Sequence, residues 1–424
     1  MPRPVILNPI PLLGRLPPVV RLLIAGTFVN KCGSFIVPFL TIVLRREFEL
    51  TERQVGWLLL AYGVGSLTSI LVGGALTDRL GRRFTLLSSL GGSGLIALAL
   101  GFADSIRTFV PLLVLFGFMA ALYRPAASSI IGDVLPSSQR ASGFAALRLS
   151  VNLGFAAGMS LGGFLADWNW RLLFFGDGIT TLAYAAVVYL FIAETRPVLA
   201  HPDGARAPEG VSPWRDPVFL SLLAVSLGFA MIFFNHMSTW AVTVTVTAGY
   251  PARVFGGLVA VNGLLIALFE MGTVERLRPF RRLRVAAFGV ILTGIGFGLT
   301  GLVMHWAWFL FTVVLWTFGE ILSAPFQMAF ATDWAPPAMR GRYLSWHGAT
   351  WSLAIGLNPL LFLPLHATLG DRAFWPLMLL IALPMAWVLL RLDRVADRPE
   401  RLRGLSHDPA PAFPPAVGLG PPVV

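Results

Sequence analysis

The sequence predicts an all-α polytopic membrane protein of twelve transmembrane helices in two pseudo-symmetric six-helix bundles. Three observations support this prediction: the composition, a series of apolar segments, and a repeat between the two halves of the chain. Of the 424 residues, 56% are hydrophobic and only 12% are charged, whereas soluble domains carry about 25% charged residues. The mean hydropathy of +0.74 favours the same class.

Twelve apolar segments have the length that a helix needs to cross a bilayer. We number them spans 1 to 12 and place them at residues 19–44, 54–77, 84–102, 108–131, 142–166, 172–193, 218–241, 254–274, 285–304, 306–330, 343–365 and 374–390. Residues 1–18 form an expected tail. The loop 194–217, rich in proline and glycine, is the expected linker between bundles at 19–193 and 218–390, and residues 391–424 form an expected disordered tail.

The distribution of positive charge predicts how the spans are oriented. Of the 32 lysine and arginine residues, 22 lie in the termini and in the loops that join an even span to the next odd span, counting Arg21 at the start of span 1 with the N-terminus, against seven in the opposite loops. Lysine and arginine are in excess on the cytoplasmic side of membrane proteins. Both termini are therefore expected in the cytoplasm, and the protein in the inner (plasma) membrane of a bacterium.

The two halves of the chain share residues at one constant offset. Pro125, Asp133, Pro136 and Arg140 recur 200 positions later as Pro325, Asp333, Pro336 and Arg340. Such duplication is typical of membrane proteins that are built from two related bundles.

The turn between spans 2 and 3 reads Gly74-Ala75-Leu76-Thr77-Asp78-Arg79-Leu80-Gly81-Arg82-Arg83. It resembles the signature loop G-x-L-x-D-R-x-G-R-R of the major facilitator superfamily, and the resemblance covers nearly the whole chain between the two tails. The resemblance implies a carrier whose substrate site lies between the bundles near mid-membrane, and whose bundles rock to open that site to either side.

The same resemblance implies that this loop pairs with charges at neighbouring helix ends and closes the cytoplasmic side. The candidate gating residues are Gly74, Asp78, Arg79, Gly81, Arg82 and Arg83, with Asp133 and Arg140 at the end of span 4. The alternative is an anchor that only fixes topology. In the second half the corresponding stretch, Glu275-Arg276-Leu277 followed by Arg281-Arg282, is degraded, so a matching gate is not expected there.

Span 5 carries small residues at four-residue spacing, which permit close helix contact. The pattern Arg148-x-x-x-Asn152-x-Gly154-x-x-x-Gly158-Met159-x-x-Gly162-Gly163 is similar to the antiporter motif of drug–proton exchangers, and this similarity implies export. Met159 stands where the motif has proline, and Ala145 where it has an upstream glycine. Close packing without any role in antiport is the alternative.

Three acidic residues within the spans are candidate proton carriers, because an ionisable group inside a membrane costs about 2.5–3.5 kcal/mol on insertion scales. Glu320 lies roughly 14 residues into span 10, near the midplane. Glu270 lies deep in span 8, and Asp177 lies in span 6. The alternatives are structural hydrogen bonds, a salt bridge to another helix or, for Glu270, extension of the side chain to the membrane surface.

Other polar residues within the spans are candidates to line a substrate cavity. Three of them are cations, which favour anionic or polar substrates if they are unpaired, and the amide, imidazole and indole groups suit amphipathic molecules. The alternative is helix–helix hydrogen bonding, worth about 0.6 kcal/mol each. The candidates are Asn30, Lys31, Arg124, Arg148, Asn152, Asn235, His236, Asn262, Trp316, Gln327, His347, Trp351 and Asn358.

No enzymatic or nucleic-acid function is expected. The six histidines show no H-E-x-x-H spacing, and the single lysine, Lys31, excludes a Walker loop with its G-K-[ST] ending. Neither a cofactor nor a metal is expected, and the net charge of +11 is spread between the spans as a topology signal.

We expect a proton-coupled exporter of small amphipathic compounds, of the multidrug-efflux type, that functions as a monomer in the lipid bilayer. One alternative is an importer or facilitator of a polar or anionic metabolite. A second alternative is a membrane receptor or scaffold that transports nothing.

Overall fold

The computed structural model describes residues 16–195, 212–336 and 339–396, apart from a few side chains. The described residues are nearly all helical and contain no strand. Eleven helical runs are long and apolar enough to cross a membrane. The last run has 56 residues, or about 84 Å of helix, which is more than twice the ~30 Å apolar core of a bilayer. It therefore holds two spans.

The first half, residues 16–195, contains spans 1 to 6. Span 1 is broken at residues 33–35 and span 4 at Leu122, so each consists of two helices. The helices are Pro18–Cys32, Ile36–Arg46, Glu52–Leu80, Arg82–Gly101, Ile106–Ala121, Tyr123–Val134, Ser137–Trp168 and Arg171–Phe191.

The second half, residues 212–396, contains spans 7 to 12. Span 7 changes from α-helix to 3₁₀-helix at Phe234–Met237 and to π-helix at Thr243–Thr247. Spans 11 and 12 meet at Gly370, whose φ of 70° and ψ of 168° interrupt the helix. The α-helices are Pro217–Phe233, Thr239–Val242, Ala252–Leu277, Arg282–Gly298, Trp306–Trp334 and Arg340–Ala396.

Side-chain caps fix several helix ends. Thr51 and Gln54 form a reciprocal capping box at the start of span 2. Asp216 caps span 7 through the N–H of Phe219 at 3.0 Å, and its second carboxylate oxygen accepts hydrogen bonds from Trp334 and Tyr343. Asp216 therefore ties span 7 to spans 10 and 11 at one membrane face.

Successive spans run antiparallel, which places alternate turns at opposite faces of the molecule. We name the faces by one turn each. The Gly81 face carries the turns after the even spans, beginning with Gly81, and the Gly370 face carries those after the odd spans, ending with Gly370. Most of the expected tails and of the expected linker lies outside the described residues, but residues 391–396 of the expected disordered tail belong to the last helix, which ends at Ala396.

Spans 5 and 8, and spans 2 and 11, form the main contacts between the halves. Glycines permit this approach, because an added Cβ at Gly63 would lie 2.5 Å from Cα of Gly356, and one at Gly256 would lie 2.3 Å from the carbonyl oxygen of Met159. Backbone therefore packs directly on backbone along both seams.

Candidate functional site

The Gly81 turn is shaped by a glycine and capped by an acid. Gly81 has a φ of 103°, in the region that favours glycine. The N–H groups of Arg82 and Arg83 donate to the two carboxylate oxygens of Glu194 at 2.9 and 3.2 Å. Glu194 thus satisfies the free N–H groups at the start of span 3, where the helix dipole favours an anion.

An ion pair joins this turn to span 4. Nε of Arg82 lies 3.0 Å from Oδ2 of Asp133, and the two side chains are largely buried. Arg83 donates to the carbonyl of Tyr189 in span 6 at 2.6 Å and lies over the tyrosine ring. The structure therefore brings three of the predicted gating residues, Gly81, Arg82 and Asp133, to one place with Arg83 beside them.

The second half carries an equivalent ion pair, contrary to expectation. Arg282 pairs with Asp333, and these residues are the counterparts of Arg82 and Asp133 at the same offset of 200. Arg282 also donates to the carbonyl of Ala329, much as Arg82 donates to that of Thr77. The surrounding sequence has diverged, but the pair itself is retained.

The other predicted gating residues lie in helices. Gly74 and Asp78 belong to the helix Glu52–Leu80 and Arg140 to Ser137–Trp168, and the side chains of Asp78 and Arg140 are not among those described. Arg79 is exposed at the end of span 2.

The glycines of span 5 make close contacts with two helices. An added Cβ at Gly158 would lie 2.7 Å from the carbonyl oxygen of Lys31, and one at Gly163 would lie 2.6 Å from Cα of Arg253. Gly154 and Gly162 likewise face span 1. The motif that resembles an antiporter signature therefore packs span 5 against span 1 of its own half and span 8 of the other half.

An ion pair crosses between the halves inside the membrane region. Nη2 of Arg148 in span 5 lies 2.7 Å from Oε1 of Glu270 in span 8. Glu270 is 8% exposed, whereas half of the Arg148 side chain is exposed. Glu270 therefore points inward to a partner in the other half rather than to the membrane surface.

Glu320 lies beside this pair. It accepts a hydrogen bond of 3.0 Å from Asn262 in span 8, which also donates to Thr317 at 3.1 Å. The charges of Glu270 and Arg148 are near enough to act on it. Two acids and one cation from three spans thus converge between the halves.

Asp177, the third acidic candidate, has a structural setting. Its carboxylate accepts hydrogen bonds from the N–H of Ile36 at 3.4 Å and from Thr181 at 3.2 Å, and Asn30 donates to Thr181 at 2.8 Å. The acid therefore stabilises the break in span 1 by holding the start of its second helix.

Two candidate cations have no acidic partner among the described residues. No carboxylate oxygen of the described chain lies within 4 Å of Lys31 or Arg124, although the charges of Asp177 and Arg124 are both near enough to act on Lys31. Arg124 also experiences the charge of Arg148. Since these cations come from spans 1, 4 and 5, Lys31 and Arg124 face the interior of the first half.

The remaining candidates of the second half are mostly buried and bonded to one another. Asn358 donates to the carbonyl of Met231 at 2.7 Å and accepts from Ser238 at 2.5 Å. His236 stacks on Trp316, with ring centroids 5.7 Å apart. Asn235 and Gln327 have local hydrogen-bond partners, His347 lies 3.4 Å from the hydroxyl of Ser226, and Trp351 packs against Phe229, Phe233 and Phe234. In the first half, Asn152 is half-buried in the seam of spans 5 and 8. The second-half candidates are thus mostly held in the interior.

Polar contacts close the Gly370 face. Asp167 at the end of span 5 accepts hydrogen bonds from the N–H groups of Ala252 and Arg253 at 2.8 and 3.0 Å. One half thus caps a helix of the other half. Arg46 adds hydrogen bonds to the carbonyls of Thr245 and Tyr250.

A second cluster on this face centres on His366. Its two ring nitrogens lie 3.0 Å from Glu52 in span 2 and 3.1 Å from Asp371 after the Gly370 turn. Asp371 also accepts hydrogen bonds from Thr243 and Trp375. Hydrogen bonds and ion pairs therefore join the two halves at the Gly370 face.

Several of these residues were not predicted from the sequence. Glu194, Asp167, Glu52 and His366 lie at the ends of spans, where charged residues also occur as ordinary surface groups. The sequence offered one signal for such a residue, an acid at the start of a predicted helix, and among these four residues only Glu52 has it.

The described residues thus form twelve spans in two related halves that are joined at one face and enclose buried charges, an arrangement typical of membrane transporters. The sequence profile of the Major Facilitator Superfamily matches residues 23–359. The chain therefore belongs to this superfamily. It is a multi-pass membrane protein and a transporter rather than an enzyme.

Relatives and a solved structure agree with this assignment. The chain is 25% identical to the MFS-type transporter YttB of Bacillus subtilis, over 91% of this chain and 98% of YttB. It is 24% identical to a Na(+), Li(+), K(+)/H(+) antiporter of Planococcus maritimus, over 82% and 89% of the two chains, and 26% identical to the class B tetracycline resistance protein of Escherichia coli, over 70% and 76%. A crystal structure of peptide transporter POT in complex with sulfate has a TM-score of 0.76 at 17% identity, covering 92% and 99%.

Proposed function

We propose that this transporter exports small amphipathic compounds in exchange for protons, with its Gly81 face in the cytoplasm. The observation that carries the proposal is the Arg148–Glu270 ion pair between the halves, with Glu320 beside it. Protonation of Glu270 removes one of the two charges and releases Arg148. Proton binding thereby changes an interaction that joins the halves, which is what coupling to alternating access requires.

Glu320 supplies the second proton site in this scheme. It is held by a neutral amide rather than a cation, so its protonation leaves no unpaired positive charge behind. Protons enter from the Gly370 face when it is open and leave to the cytoplasm from the present conformation. When the Arg148–Glu270 pair separates, the substrate occupies the space that opens beside it.

Other features support export and orientation. The excess of lysine and arginine on the Gly81 face supports its cytoplasmic location in a bacterial inner membrane. One relative is named as an antiporter of cations and protons, and another is named as a tetracycline resistance protein. Export in exchange for protons unites these two properties.

Inverted membrane vesicles with an acidified lumen test the proposal. Rhodamine 123, a cation, and fluorescein, an anion on the same xanthene ring, are added outside while a pH-sensitive dye reports the lumen. We expect at least one compound to dissipate the pH gradient only in vesicles that contain the transporter. Accumulation of both compounds without any proton movement would contradict the proposal.

An importer or facilitator of an anionic metabolite is the second candidate. It is favoured by the buried cations Lys31 and Arg124, neither of which has a carboxylate oxygen within 4 Å among the described residues. Direction separates the two functions: an exporter concentrates substrate inside inverted vesicles, whereas an importer concentrates it inside right-side-out vesicles.

A further inference from the structure

We infer that the Gly81 face carries a binding site for an anionic phospholipid, in a groove between the turn after span 8 and the outer sides of spans 9 and 10. This groove, which we call the Arg284 groove, is lined by Leu277, Phe280, Arg281, Arg284, Phe288 and Leu322, among others. Its space of about 950 Å³, part of which is open to solvent, is in the size range of small-molecule sites. The site is independent of the direction of transport.

The positive charge of the groove lies where the chain leaves the membrane. The stretch from Glu275 to Arg284 contains five arginines and a single acid, and so many charges place it at the membrane surface. Arg281 and Arg284 both donate to Oδ2 of Asp393 at the end of the last helix, at 2.9 and 2.8 Å. Two guanidinium groups therefore share one carboxylate, and the groove keeps a net positive charge.

Arg284 can bind a second anion while it keeps its contact with Asp393. Its side chain is 58% exposed. Within residues 212–336 and 339–396 it donates through Nε alone, although a guanidinium has five N–H donors. The outer N–H groups of Arg284 are thus available to phosphate oxygens, which the planar guanidinium binds through paired hydrogen bonds.

The walls of the groove become apolar toward the membrane interior. Arg281, Arg284 and Phe288 follow one another at spacings of three and four residues, so they share one side of span 9. Phe288 is 59% exposed and lies six residues beyond the start of this helix, or about 9 Å deeper. Leu322 lies at a similar depth, because an added Cβ at Gly289 would be 2.7 Å from its carbonyl carbon.

An anionic phospholipid has the same succession of chemistry, with a phosphate at the membrane surface and acyl chains below it. Basic pockets between membrane helices are known to bind such headgroups. Any lipid could cover Phe288 and Leu322, but the two arginines favour one with a net negative charge. A soluble phosphate would gain nothing from the apolar walls.

The first half has no equivalent of this groove's charge. At the offset of 200 residues that relates the halves, Gly81 stands in place of Arg281 and Phe84 in place of Arg284. The divergence of the second-half turn thus adds two cations to the surface of span 9. We therefore expect one such site per molecule.

Native mass spectrometry of the purified transporter in detergent measures how tightly lipids bind. Dioleoyl phosphatidylglycerol is compared with dioleoyl phosphatidylcholine, which has the same acyl chains and no net charge. We expect one molecule of phosphatidylglycerol to bind more tightly than phosphatidylcholine. Arg284→Gln should weaken this binding about fivefold, as loss of one arginine at an anionic lipid predicts. Asp393 keeps Arg281 as its partner in this variant, and Arg284→Lys should retain more affinity than Arg284→Gln.

Arg276→Gln is the matched control, because it removes the same charge from an exposed position of the same turn outside the groove. It should bind phosphatidylglycerol as the wild type does, whereas Phe288→Ala, which shortens the apolar wall, should bind it less tightly. Glycerol 3-phosphate in large excess should not displace the lipid, which separates a lipid site from a site for free phosphate. Equal binding of the two lipids, an equal loss in Arg276→Gln and Arg284→Gln, unchanged affinity in both Arg284→Gln and Phe288→Ala, or displacement by glycerol 3-phosphate would each overturn the inference.

Discussion

Nδ1 of His366 in span 11 lies 3.0 Å from Oε2 of Glu52 in span 2, and this pair ties the two halves together at the Gly370 face. The other ring nitrogen faces Asp371 at 3.1 Å, and Thr243 is the remaining polar neighbour. A protonated imidazole can donate to both carboxylates, whereas a neutral one can donate to only one. Closure of this face should therefore depend on the protonation of His366.

Replacement of His366 by alanine is expected to open the Gly370 face. Hydrogen bonds to charged groups contribute roughly 1.5–3 kcal/mol, so the ratio of open to closed molecules should rise about tenfold or more. Raising the external pH should act in the same direction in the wild type, because deprotonation removes one of the two contacts. His305→Ala is the matched control, since His305 lies on the same face and caps its own helix.

Spin labels at Arg107→Cys and Arg372→Cys report this opening. Both positions are exposed on the Gly370 face, one in each half, and the native Cys32 is replaced by serine. Double electron–electron resonance should show a longer distance between the two labels in His366→Ala than in His305→Ala. If His366→Ala and His305→Ala gave identical distance distributions, and those of the wild type did not change with pH, the cluster would not hold the face closed.

The glycine seam between spans 2 and 11 makes a second prediction. In Gly63→Ala the new Cβ would meet Cα of Gly356 at 2.5 Å, so backbone must move apart. Overpacking of this kind typically costs 1–3 kcal/mol, here in the closed conformation, and the same spin labels should move apart. Gly257→Ala has nothing within 4 Å of its added Cβ and should leave the distances as they are. If the distance between the labels were as little changed in Gly63→Ala as in Gly257→Ala, the tight packing of this seam would be contradicted.

The two equivalent ion pairs should contribute unequally to stability. The Arg82 and Asp133 side chains are 13% and 18% exposed, against 40% and 63% for Arg282 and Asp333. Asp133→Asn should lower the free energy of unfolding by roughly 1.5–3 kcal/mol, whereas Asp333→Asn should cost about 0–1 kcal/mol. The thermal unfolding midpoints of the two variants are measured in the same detergent. A larger decrease in the midpoint for Asp333→Asn than for Asp133→Asn would contradict this prediction.

The fold was predictable from the sequence because each span must satisfy its own backbone within the bilayer. Apolar length and the glycine motif of span 5 therefore indicate helices and their contacts. The Gly370 turn was placed correctly between spans 11 and 12, although helical geometry continues on both sides of it.

The site was less predictable, because it depends on which residues meet across the halves. Glu320 and Glu270 were recognisable as acids inside spans, but the partner of Glu270, Arg148, comes from another span. The retained pair of Arg282 and Asp333 was missed because the comparison of the halves followed Glu275-Arg276-Leu277, which lies at a different offset.

Proton movement in Glu320→Gln tests the central claim, that carboxyl groups between the halves couple protons to transport. Inverted vesicles containing wild type, Glu320→Gln or Glu275→Gln receive the best transported xanthene dye while lumen pH and dye uptake are followed. Glu275 is exposed near the end of span 8 beside Arg278 and provides the matched control. We predict dye-driven proton efflux in the wild type and in Glu275→Gln, and a smaller proton efflux per transported dye in Glu320→Gln, which retains only the Glu270 site. Wild-type proton efflux per transported dye in Glu320→Gln would contradict this prediction.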